Sequence, residues 1–388
     1  MKQSKFTYVG PVNNTGYGVA SIGYANAITR ENPDVVVVPI GQVGNHQELS
    51  EASRKALTKT PDYSKPVFCF WHLHDVPNQL QEFTGPKVVL STFEVDTLSG
   101  EELYDLPKYQ AIGTTTEWGR SILKRHSQLP AEKIFICPHA FRQDSNQKLD
   151  RYNFDIDFVA NWQKIVSPYR IDPNSLVLTT AGKFELRKGY PELVEATIEL
   201  SKIKPIVLVT FCHNPFIQDG FPYSFINSNF FYPIYTDSGI KVFKKHNLIW
   251  IVMPPTGSRM QLHAALSKGH FFISPSKGEG WNLPLFEMMS YGMPCITSLV
   301  SAHTEYCDET NIIPVADMGL KDAIDPPFFK GIGKWYNITK ENVLVALSIA
   351  TSKTIDELKI ISDNAYKSTE TFTWEKSGKV IQKLMNQF

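Results

Sequence analysis

Two glutamates separated by seven residues, Glu279 and Glu287, have the spacing and surroundings that most clearly indicate chemistry. A strand is predicted to end at Ser274, and a glycine-containing loop then carries Glu279. A helix is predicted to begin near Leu283, after Asn282, which is a good N-cap residue. The start of a helix offers free N–H groups and the positive end of its dipole to an anion. Carboxylates accept hydroxyl hydrogen bonds. The segment therefore predicts a phosphate site flanked by hydroxyl-binding glutamates.

A second segment, Thr180–Gly189, places the cations Lys183, Arg187 and Lys188 directly after a predicted strand. Ligands of open parallel sheets bind at the carboxyl ends of the strands. Cations at that edge can neutralise a diphosphate leaving group without a metal ion. Taken alone, the segment also fits a solvated turn, but beside the glutamate segment it predicts a phosphate-binding role.

Short apolar runs alternate with helix-like segments along the chain, which is typical of an α/β fold with parallel sheets. Strands are predicted at Phe6–Val9, Val35–Ile40, Val67–Trp71, Lys87–Thr92, Ala111–Thr114 and Lys133–Cys137, and in a second series at Leu176–Thr180, Ile206–Phe211, Leu248–Val252, His270–Ser274 and Pro294–Ser298. Helices include Val19–Thr29, Trp118–Arg125, Pro191–Lys202, Met260–Ser267 and Pro284–Ser290. The two series predict two Rossmann-like domains with a boundary in residues 142–174, where no periodicity is evident. The last helical stretch, Ile355–Phe388, is interrupted near Thr373, a plausible N-cap.

The composition excludes several classes of protein. The 388 residues suit two domains, and the net charge of zero does not favour nucleic-acid binding. The five cysteines are well separated and form no C-x-x-C pair, which favours a reduced, cytoplasmic setting. The N-terminus lacks an apolar signal region, and no apolar stretch is long enough to span a membrane. We therefore expect at most peripheral contact with membranes.

The stretch GEGWNLPLFEMMSYGMPCI, which contains both glutamates, resembles the E-x7-E motif of retaining GT-B glycosyltransferases of glycosyltransferase family 4. GKFELRKG resembles that family's phosphate-binding segment, although Lys183 stands where the family usually has arginine. The resemblance implies a GT-B fold, in which the parallel sheets of two Rossmann-like domains face each other across a cleft. It also implies domains at residues 1–160, joined by a C-terminal helix at 373–388, and at 170–372.

The resemblance further implies roles for individual residues. Glu279 contacts the donor sugar and Glu287 binds the ribose. The backbone after the first glutamate holds sugar and diphosphate, and these roles fall on Gly280, Trp281, Asn282 and Leu283. Lys183 and Lys188 stabilise the departing diphosphate, and Arg187 supplies the bidentate contact that a lysine at position 183 loses. Trp281 either stacks on a sugar or packs the loop.

The first half of the chain carries looser signals. Gly16 and Gly18 lie between a strand and a helix, either as a tight turn or as the family's donor-covering loop. Glu94 follows another strand and is either a donor or acceptor contact or a salt-bridged loop carboxylate. His72 and His74 follow a third strand and are candidates for the acceptor side of the cleft. His139, in a Pro-His-Ala segment near the hinge, is a further, more structural candidate.

We therefore expect a retaining glycosyltransferase that moves a sugar from a UDP- or GDP-sugar to an acceptor hydroxyl, in glycan or glycoconjugate synthesis. No cofactor and no metal are expected. The D-x-D string Asp155–Asp157 lies in the interdomain stretch rather than after a strand, which disfavours a metal role. The alternatives are a GT-B sugar-nucleotide epimerase and a non-catalytic carbohydrate-binding protein of the same fold.

Overall fold

The computed structural model describes residues 5–141, 148, 157–167, 169–214, 223–229, 232–237 and 239–388. The first half forms a six-stranded parallel sheet with the order β2-β1-β3-β4-β5-β6. Its strands are β1 Thr7–Pro11, β2 Val36–Ile40, β3 Val67–Phe70, β4 Lys87–Leu90, β5 Ala111–Thr114 and β6 Ile134–Ile136. β1, β3 and β5 are buried throughout, as expected for strands covered by helices on both faces.

Helices of the first half follow these strands, and most begin at a side-chain cap. They are α1 Gly16–Glu31, α2 Glu51–Leu57, α3 Val76–Gln79, α4 Gly100–Asp105 and α5 Glu117–His126. The side chains of Thr15, Ser50, Ser99 and Thr116 each accept a hydrogen bond from a backbone N–H in the first turn that follows. These caps fix where each helix leaves the carboxyl edge of the sheet.

The second half forms an eight-stranded sheet with the order β14-β13-β12-β7-β8-β11-β10-β9. Its strands are β7 Leu176–Ala181, β8 Ile206–Phe211, β9 Tyr232–Asp237, β10 Ile240–Lys245, β11 Leu248–Val252, β12 Phe271–Ser274, β13 Cys295–Ser298 and β14 Ile313–Val315. β10 pairs antiparallel with both of its neighbours, and the other pairs are parallel. The strands predicted from sequence are confirmed to within two residues at each end.

The second half contributes the remaining helices. They are α6 Phe158–Val166, α7 Tyr190–Leu200, α8 Tyr223–Ser228, α9 Arg259–Leu266, α10 Leu283–Ser290, α11 Lys340–Ser352, α12 Ile355–Thr369 and α13 Trp374–Met385. α6 corrects the prediction that residues 142–174 lack periodic structure; Asp157 caps it by accepting from the Ala160 N–H at 2.8 Å. Thr373 caps α13, as predicted.

Helix α13 returns to the first half of the chain and packs against α1. Gly23 lies so close to the Trp374 ring that a β-carbon would come within 2.3 Å of it. Gly378 similarly allows close approach to Ala27. The Ser377 hydroxyl donates to the Pro138 carbonyl at 2.7 Å, which ties α13 to the end of the first sheet.

An antiparallel hairpin that the sequence did not predict follows β14. It consists of β15 Leu320–Asp325 and β16 Phe329–Tyr336 and pairs with neither large sheet. One of its faces carries the buried Ala323 and Trp335, while the other exposes Leu320, Ile324 and Ile332. The hairpin reaches the first half of the chain, where Lys334 exchanges hydrogen bonds with Asp96.

The five cysteines are buried and form no disulfide. Within the part of the chain that the structure describes, no helix combines the length and the apolar character needed to cross a membrane.

Candidate functional site

Glu279 lies after β12 in a buried network of polar side chains. Its side chain is 3% exposed. The Lys188 ammonium donates to its Oε1 at 2.6 Å, and the Ser276 hydroxyl donates to the same oxygen at 2.7 Å. Arg187 donates to Oε2 at 3.0 Å. Burial would raise the pKa of Glu279, but Lys188 and Arg187 outweigh burial and hold that pKa well below its ordinary value.

Arg187 is the centre of this network and is 1% exposed. Its NH1 donates to the Gly278 carbonyl at 2.7 Å as well as to Glu279. Its NH2 contacts Glu185 at 2.9 Å and Glu94 at 2.8 Å. Both terminal nitrogens therefore have protein acceptors already, which fits a positioning role better than a bidentate phosphate contact. Glu94 is, in this arrangement, the salt-bridged carboxylate that was one of its two interpretations.

Lys183 and Lys188 lie on the same loop but differ in exposure. The Lys188 side chain is 14% exposed and contacts Glu279, whereas the Lys183 side chain is 41% exposed and contacts Glu185 at 2.7 Å. Burial would raise the pKa of Glu185, and Arg187 and Lys183 together lower it. The loop thus offers one enclosed ammonium beside Glu279 and one accessible ammonium at its edge.

The loop from Gly280 to Asn282 leads into α10 with a conformation that the sequence did not indicate. Asn282 has a left-handed backbone, with φ of 69°, and its side chain makes no cap hydrogen bond. The expectation of an Asn282 side-chain cap is therefore wrong. The amide instead donates to the Ser274 hydroxyl and to His303 Nε2, each at 2.9 Å. These bonds hold the backbone in a conformation that asparagine tolerates better than most residues.

His303 and Ser301 hold this loop in place through hydrogen bonds. His303 Nδ1 lies 2.7 Å from the Ser298 carbonyl, which assigns the proton to Nδ1 and leaves Nε2 to accept from Asn282. Burial lowers the pKa of His303. The Ser301 hydroxyl accepts from the Glu279 N–H at 2.9 Å. Among the described residues, the N–H groups of Gly280 and Asn282, just before α10, have no protein acceptor.

Trp281 packs inside the protein and is 3% exposed. Its ring lies 5.2 Å from those of Phe286 and Tyr306 and 5.4 Å from that of Phe372, measured between centroids. The structure therefore favours packing of the loop over sugar stacking for this residue. Leu283, the first residue of α10, is also buried.

Glu287 lies one helix turn further along, in a separate buried ion cluster. Arg259 donates to its Oε1, and His263 Nε2 lies 2.5 Å from its Oε2. Burial would raise the pKa of Glu287, but Arg259 and His263 outweigh burial and lower it. Tyr291 contacts the other His263 nitrogen at 3.5 Å. Glu287 is thus held ionised and oriented by two residues of α9.

The candidates that follow β1 and β3 of the first sheet meet around Tyr17. Gly16 and Gly18 open α1, and a β-carbon on Gly18 would come within 2.3 Å of the Asn13 main chain. The Tyr17 ring between them contacts His72, with centroids 4.0 Å apart. Burial, then His74 and Lys183, lower the pKa of His72 to about 4. His72 therefore lies within electrostatic reach of Lys183 on the loop after β7.

The other two histidines occupy different surroundings. His74 is exposed, with its ring 5.6 Å from that of His72. His139 is buried, with Nδ1 2.9 Å from the Tyr24 hydroxyl, and burial lowers its pKa to about 3. Its ring lies 5.6 Å from that of Trp281. His139 is therefore part of the packing between the two halves, while His74 faces solvent.

Close contacts between loops join the two halves at the candidate site. The Thr115 hydroxyl donates to the Gly280 carbonyl at 2.7 Å. A β-carbon on Gly278 would lie 2.4 Å from the Glu94 carbonyl, and one on Gly280 would lie 2.5 Å from Thr92. The loops after β4 and β12 therefore lie directly against each other, and with the Glu94–Arg187 pair they enclose Glu279.

A metal site is not evident in the described residues, because no three His, Cys, Asp or Glu side chains there are grouped to hold an ion. Of the D-x-D string, Asp155 lies outside the described residues and Asp157 is the cap of α6.

No protein-family profile matches the chain, and no curated protein matches it. Solved structures do match along the whole chain. HepE from Anabaena in complex with UDP and glucose has a TM-score of 0.64 at 12% identity, over 99% of this chain and 100% of HepE. Sucrose-phosphate synthase from Thermosynechococcus elongatus has a TM-score of 0.65 at 13% identity, over 99% of each chain. A glycosyltransferase from Rickettsia africae has a TM-score of 0.64 at 12% identity, over 100% of this chain and 99% of that one.

The fold is GT-B. This confirms the predicted fold class. Within this GT-B fold, the structure brings together Glu279, Lys188, Arg187 and Glu94, with Lys183 at the edge. Glu287 lies in a separate cluster with Arg259 and His263 of α9.

Several residues of the site were not found from the sequence. Arg259 and His263 precede Glu287 by more than twenty positions, and His303 follows Asn282 by a similar distance. Glu185 could have been found, since it stands between the two lysines of the same loop. The others have no local signal, because their contacts depend on how α9 and the segment after β13 pack around α10.

Proposed function

We propose that this protein transfers a sugar from a nucleoside diphosphate sugar, either a UDP- or a GDP-sugar, to an acceptor hydroxyl with retention of anomeric configuration. The observation that carries the proposal is the buried Glu279 carboxylate, paired with Lys188 beside the free N–H groups at the start of α10. The GT-B fold supports it, and so does the fact that the HepE structure contains UDP and glucose. Synthesis of a glycan or glycoconjugate is the corresponding role.

The diphosphate binds between the lysine loop and the start of α10. Lys188 is already enclosed there, and Lys183 is accessible at the loop's edge. The N–H groups before α10 and the positive end of that helix add further stabilisation as negative charge develops on the leaving phosphate. These groups provide the neutralisation that a divalent cation would otherwise supply, so we propose that neither metal nor cofactor is required.

Glu279 positions the donor sugar through its hydroxyls, and Glu287 positions the ribose. Both carboxylates are ionised at neutral pH because neighbouring cations lower their pKa. Oε2 of Glu279 and both oxygens of Glu287 each have one protein partner, which leaves an acceptor direction on each for a ligand hydroxyl. Arg187 positions Glu279, and Arg259 with His263 positions Glu287.

The chemical step is a front-face substitution, as the resemblance to retaining enzymes implies. The bond from the anomeric carbon to the diphosphate oxygen breaks, and the acceptor oxygen bonds to that carbon on the same face. The acceptor proton passes to the departing phosphate oxygen, so no protein nucleophile is required. The enclosure of Glu279 by both halves excludes water and limits hydrolysis of the donor.

In this proposal, each half of the chain binds one of the two substrates. Residues 1–160, with helix 373–388, bind the acceptor, where His72, His74 and Glu94 are candidate contacts. Residues 170–372 bind the donor. The five cysteines, all buried and none in a disulfide, support a reducing, cytoplasmic setting.

A screen of UDP- and GDP-sugars by thermal shift, followed by an assay of nucleotide release, tests the proposal. One donor should raise the melting temperature and be cleaved, with activity unchanged by EDTA. Conversion of UDP-N-acetylglucosamine without an acceptor would instead identify an epimerase. Donor binding without any release would identify a non-catalytic binding protein, and either result would overturn the proposal.

A further inference from the structure

A pocket of about 320 Å³ lies outside the Glu279 network, where the β15–β16 hairpin meets the first half of the chain. Its walls come from Asp96 and Thr97 after β4, from Arg125 at the end of α5, and from Asp322 and Lys334 of the hairpin. Both halves of the protein therefore build it. A volume of this size is at the lower end of the range of small-molecule sites.

Backbone hydrogen bonds hold the walls of this pocket together. The Lys334 N–H donates to Asp96 Oδ1 at 2.7 Å, and the Asp96 N–H donates to the Lys334 carbonyl at 3.2 Å. Arg125 and His126 lie 3.4 Å and 3.2 Å from the Asp96 carbonyl. The position of the hairpin against the loop is therefore fixed without use of the Lys334 ammonium.

Glycines keep the interior of the pocket open. Gly331 and Gly333 both line it and have φ of 85° and 80°, a left-handed backbone that residues with a β-carbon rarely adopt. A β-carbon on Gly333 would lie 2.8 Å from Thr97, so glycine is required for the close approach. At Gly331 the space is open, with only Ile324 within 4 Å.

Three of the polar side chains around the pocket have few or no protein partners. Within the described part of the chain, the Asp322 carboxylate and the Lys334 ammonium form no hydrogen bond or ion pair, although the two residues are paired across the hairpin. The Arg125 guanidinium has a single long contact, to the Asp96 carbonyl. The pocket therefore presents cationic donors and a carboxylate acceptor whose partners the protein does not supply.

We infer that this pocket binds one sugar ring of an oligosaccharide acceptor, at a distance from the ring that receives the donor sugar. A ring with several hydroxyls offers both donors and acceptors, which matches a mixed lining of guanidinium, ammonium and carboxylate. A phosphate would meet the carboxylates of Asp96 and Asp322, and a cation would meet Arg125 and Lys334. A polyhydroxyl ligand avoids both repulsions.

The location of the pocket favours an acceptor with more than one sugar ring. Asp96 lies two residues after Glu94 on one loop, and Glu94 contacts Arg187 in the Glu279 network. Strand β16 links the same regions, because its Tyr336 N–H donates to the Lys277 carbonyl beside Gly278 at 2.9 Å. One loop and one strand therefore connect the pocket to the surroundings of Glu279. An acceptor that occupies the pocket and also reaches Glu279 has more than one ring. This inference rests on the proposed transferase function for its acceptor role.

Binding of the intact protein to an array of immobilised mono- and oligosaccharides tests the inference. We expect capture by oligosaccharides, with at least about tenfold weaker binding by the double variant Arg125→Ala/Lys334→Ala, because two ligand donors are lost. The double variant Lys124→Ala/Lys330→Ala is the matched control. It removes two exposed lysines from the same helix and the same hairpin, neither of which lines the pocket, and it should bind as the parent does.

Asp322→Ala separates a neutral sugar from an anionic ligand. Binding of a hydroxyl-rich ligand should weaken in this variant, whereas binding of an anion should tighten. The inference is overturned if no oligosaccharide is captured, if the two double variants behave alike, or if Asp322→Ala tightens binding. All the substituted side chains are exposed, and circular dichroism checks that each variant is folded.

Slow hydrolysis of the donor in the absence of acceptor distinguishes failure of this inference from failure of the proposed function. The pocket variants should hydrolyse the donor at the parent's rate. If the parent protein neither binds nor cleaves any nucleotide sugar, the proposed function fails, and capture of oligosaccharides then reports a carbohydrate-binding site alone.

Discussion

The two sides of the proposed cleft differ in the contacts that hold their candidate residues in place. On the proposed donor side, Glu279 and Glu287 are each buried among charged residues that lie within hydrogen-bonding distance. On the proposed acceptor side, the rings of Tyr17 and His72 pack in a tilted arrangement, and His72 is neutral at physiological pH because burial lowers its pKa to about 4. Buried charge clusters tolerate the loss of a partner poorly. Function on the donor side should therefore depend on single residues, while the acceptor side should tolerate change.

The largest effect is expected from Lys188→Met, which keeps the length of the side chain and removes its charge. The leaving diphosphate then loses its enclosed cation, and kcat should fall by roughly 10²–10³-fold. Steady-state nucleotide release measures this. Lys202→Met, at an exposed lysine just after α7 on the same domain, is the control and should retain the parent's kcat. If Lys188→Met and Lys202→Met had the same kcat, function on the donor side would not depend on Lys188, which would contradict the expected difference between the two sides.

A smaller effect is expected from Arg259→Gln, because Arg259 acts through Glu287 rather than on the leaving group. The ribose contact should weaken, so the KM for the donor should rise by about tenfold while kcat changes little. Arg259→Lys should restore part of the affinity, since the charge is kept. A fall in kcat with an unchanged KM would contradict the assignment of Glu287 to ground-state binding of the nucleotide.

The acceptor-side packing predicts a pH effect on stability. Burial lowers the pKa of His139 from 6.5 to about 3, so the unfolded chain binds a proton that the folded protein does not. The stability that His139 contributes is present above pH 6.5 and is lost as pH falls. Between these two values the loss approaches about 1.4 kcal/mol per pH unit. Urea unfolding at pH 7, 6 and 5 should show a shallower decline for His139→Gln than for the parent. His46→Gln, at an exposed histidine, should follow the parent's decline, and a His139→Gln curve parallel to the parent's would refute the effect.

The same contrast explains how much could be predicted from the sequence. Each segment of the proposed donor site is local: a strand, a loop of fewer than ten residues and a helix start. This context, together with the family resemblance, is what predicted roles for Glu279, Lys188 and Glu287. The parallel strands could also be predicted from the sequence, because they are buried on both faces and therefore continuously apolar. Most of the acceptor side has no such local signal, since its residues come from loops after several strands.

What the sequence did not indicate depends on tertiary contacts. The amide of Asn282 suits an N-cap, but His303 and Ser274 bind it instead, and neither can be inferred from the spacing around Asn282. The β15–β16 hairpin was missed because its strands lack a continuous apolar run, and their outer face mixes lysine, aspartate and isoleucine. Its placement depends on Asp96, more than two hundred positions earlier.

The role of Glu279 in binding the donor sugar is tested by the rate of nucleotide release by Glu279→Gln, with the donor found in the screen. Glutamine keeps the shape of the side chain but removes the charge that Lys188 and Arg187 surround. Circular dichroism should show a folded protein at the assay temperature. We expect kcat/KM to fall by at least about 10²-fold, because the donor sugar loses its carboxylate and Lys188 loses its partner. A folded Glu279→Gln protein that releases nucleotide at the parent's rate would contradict the assignment of the donor site.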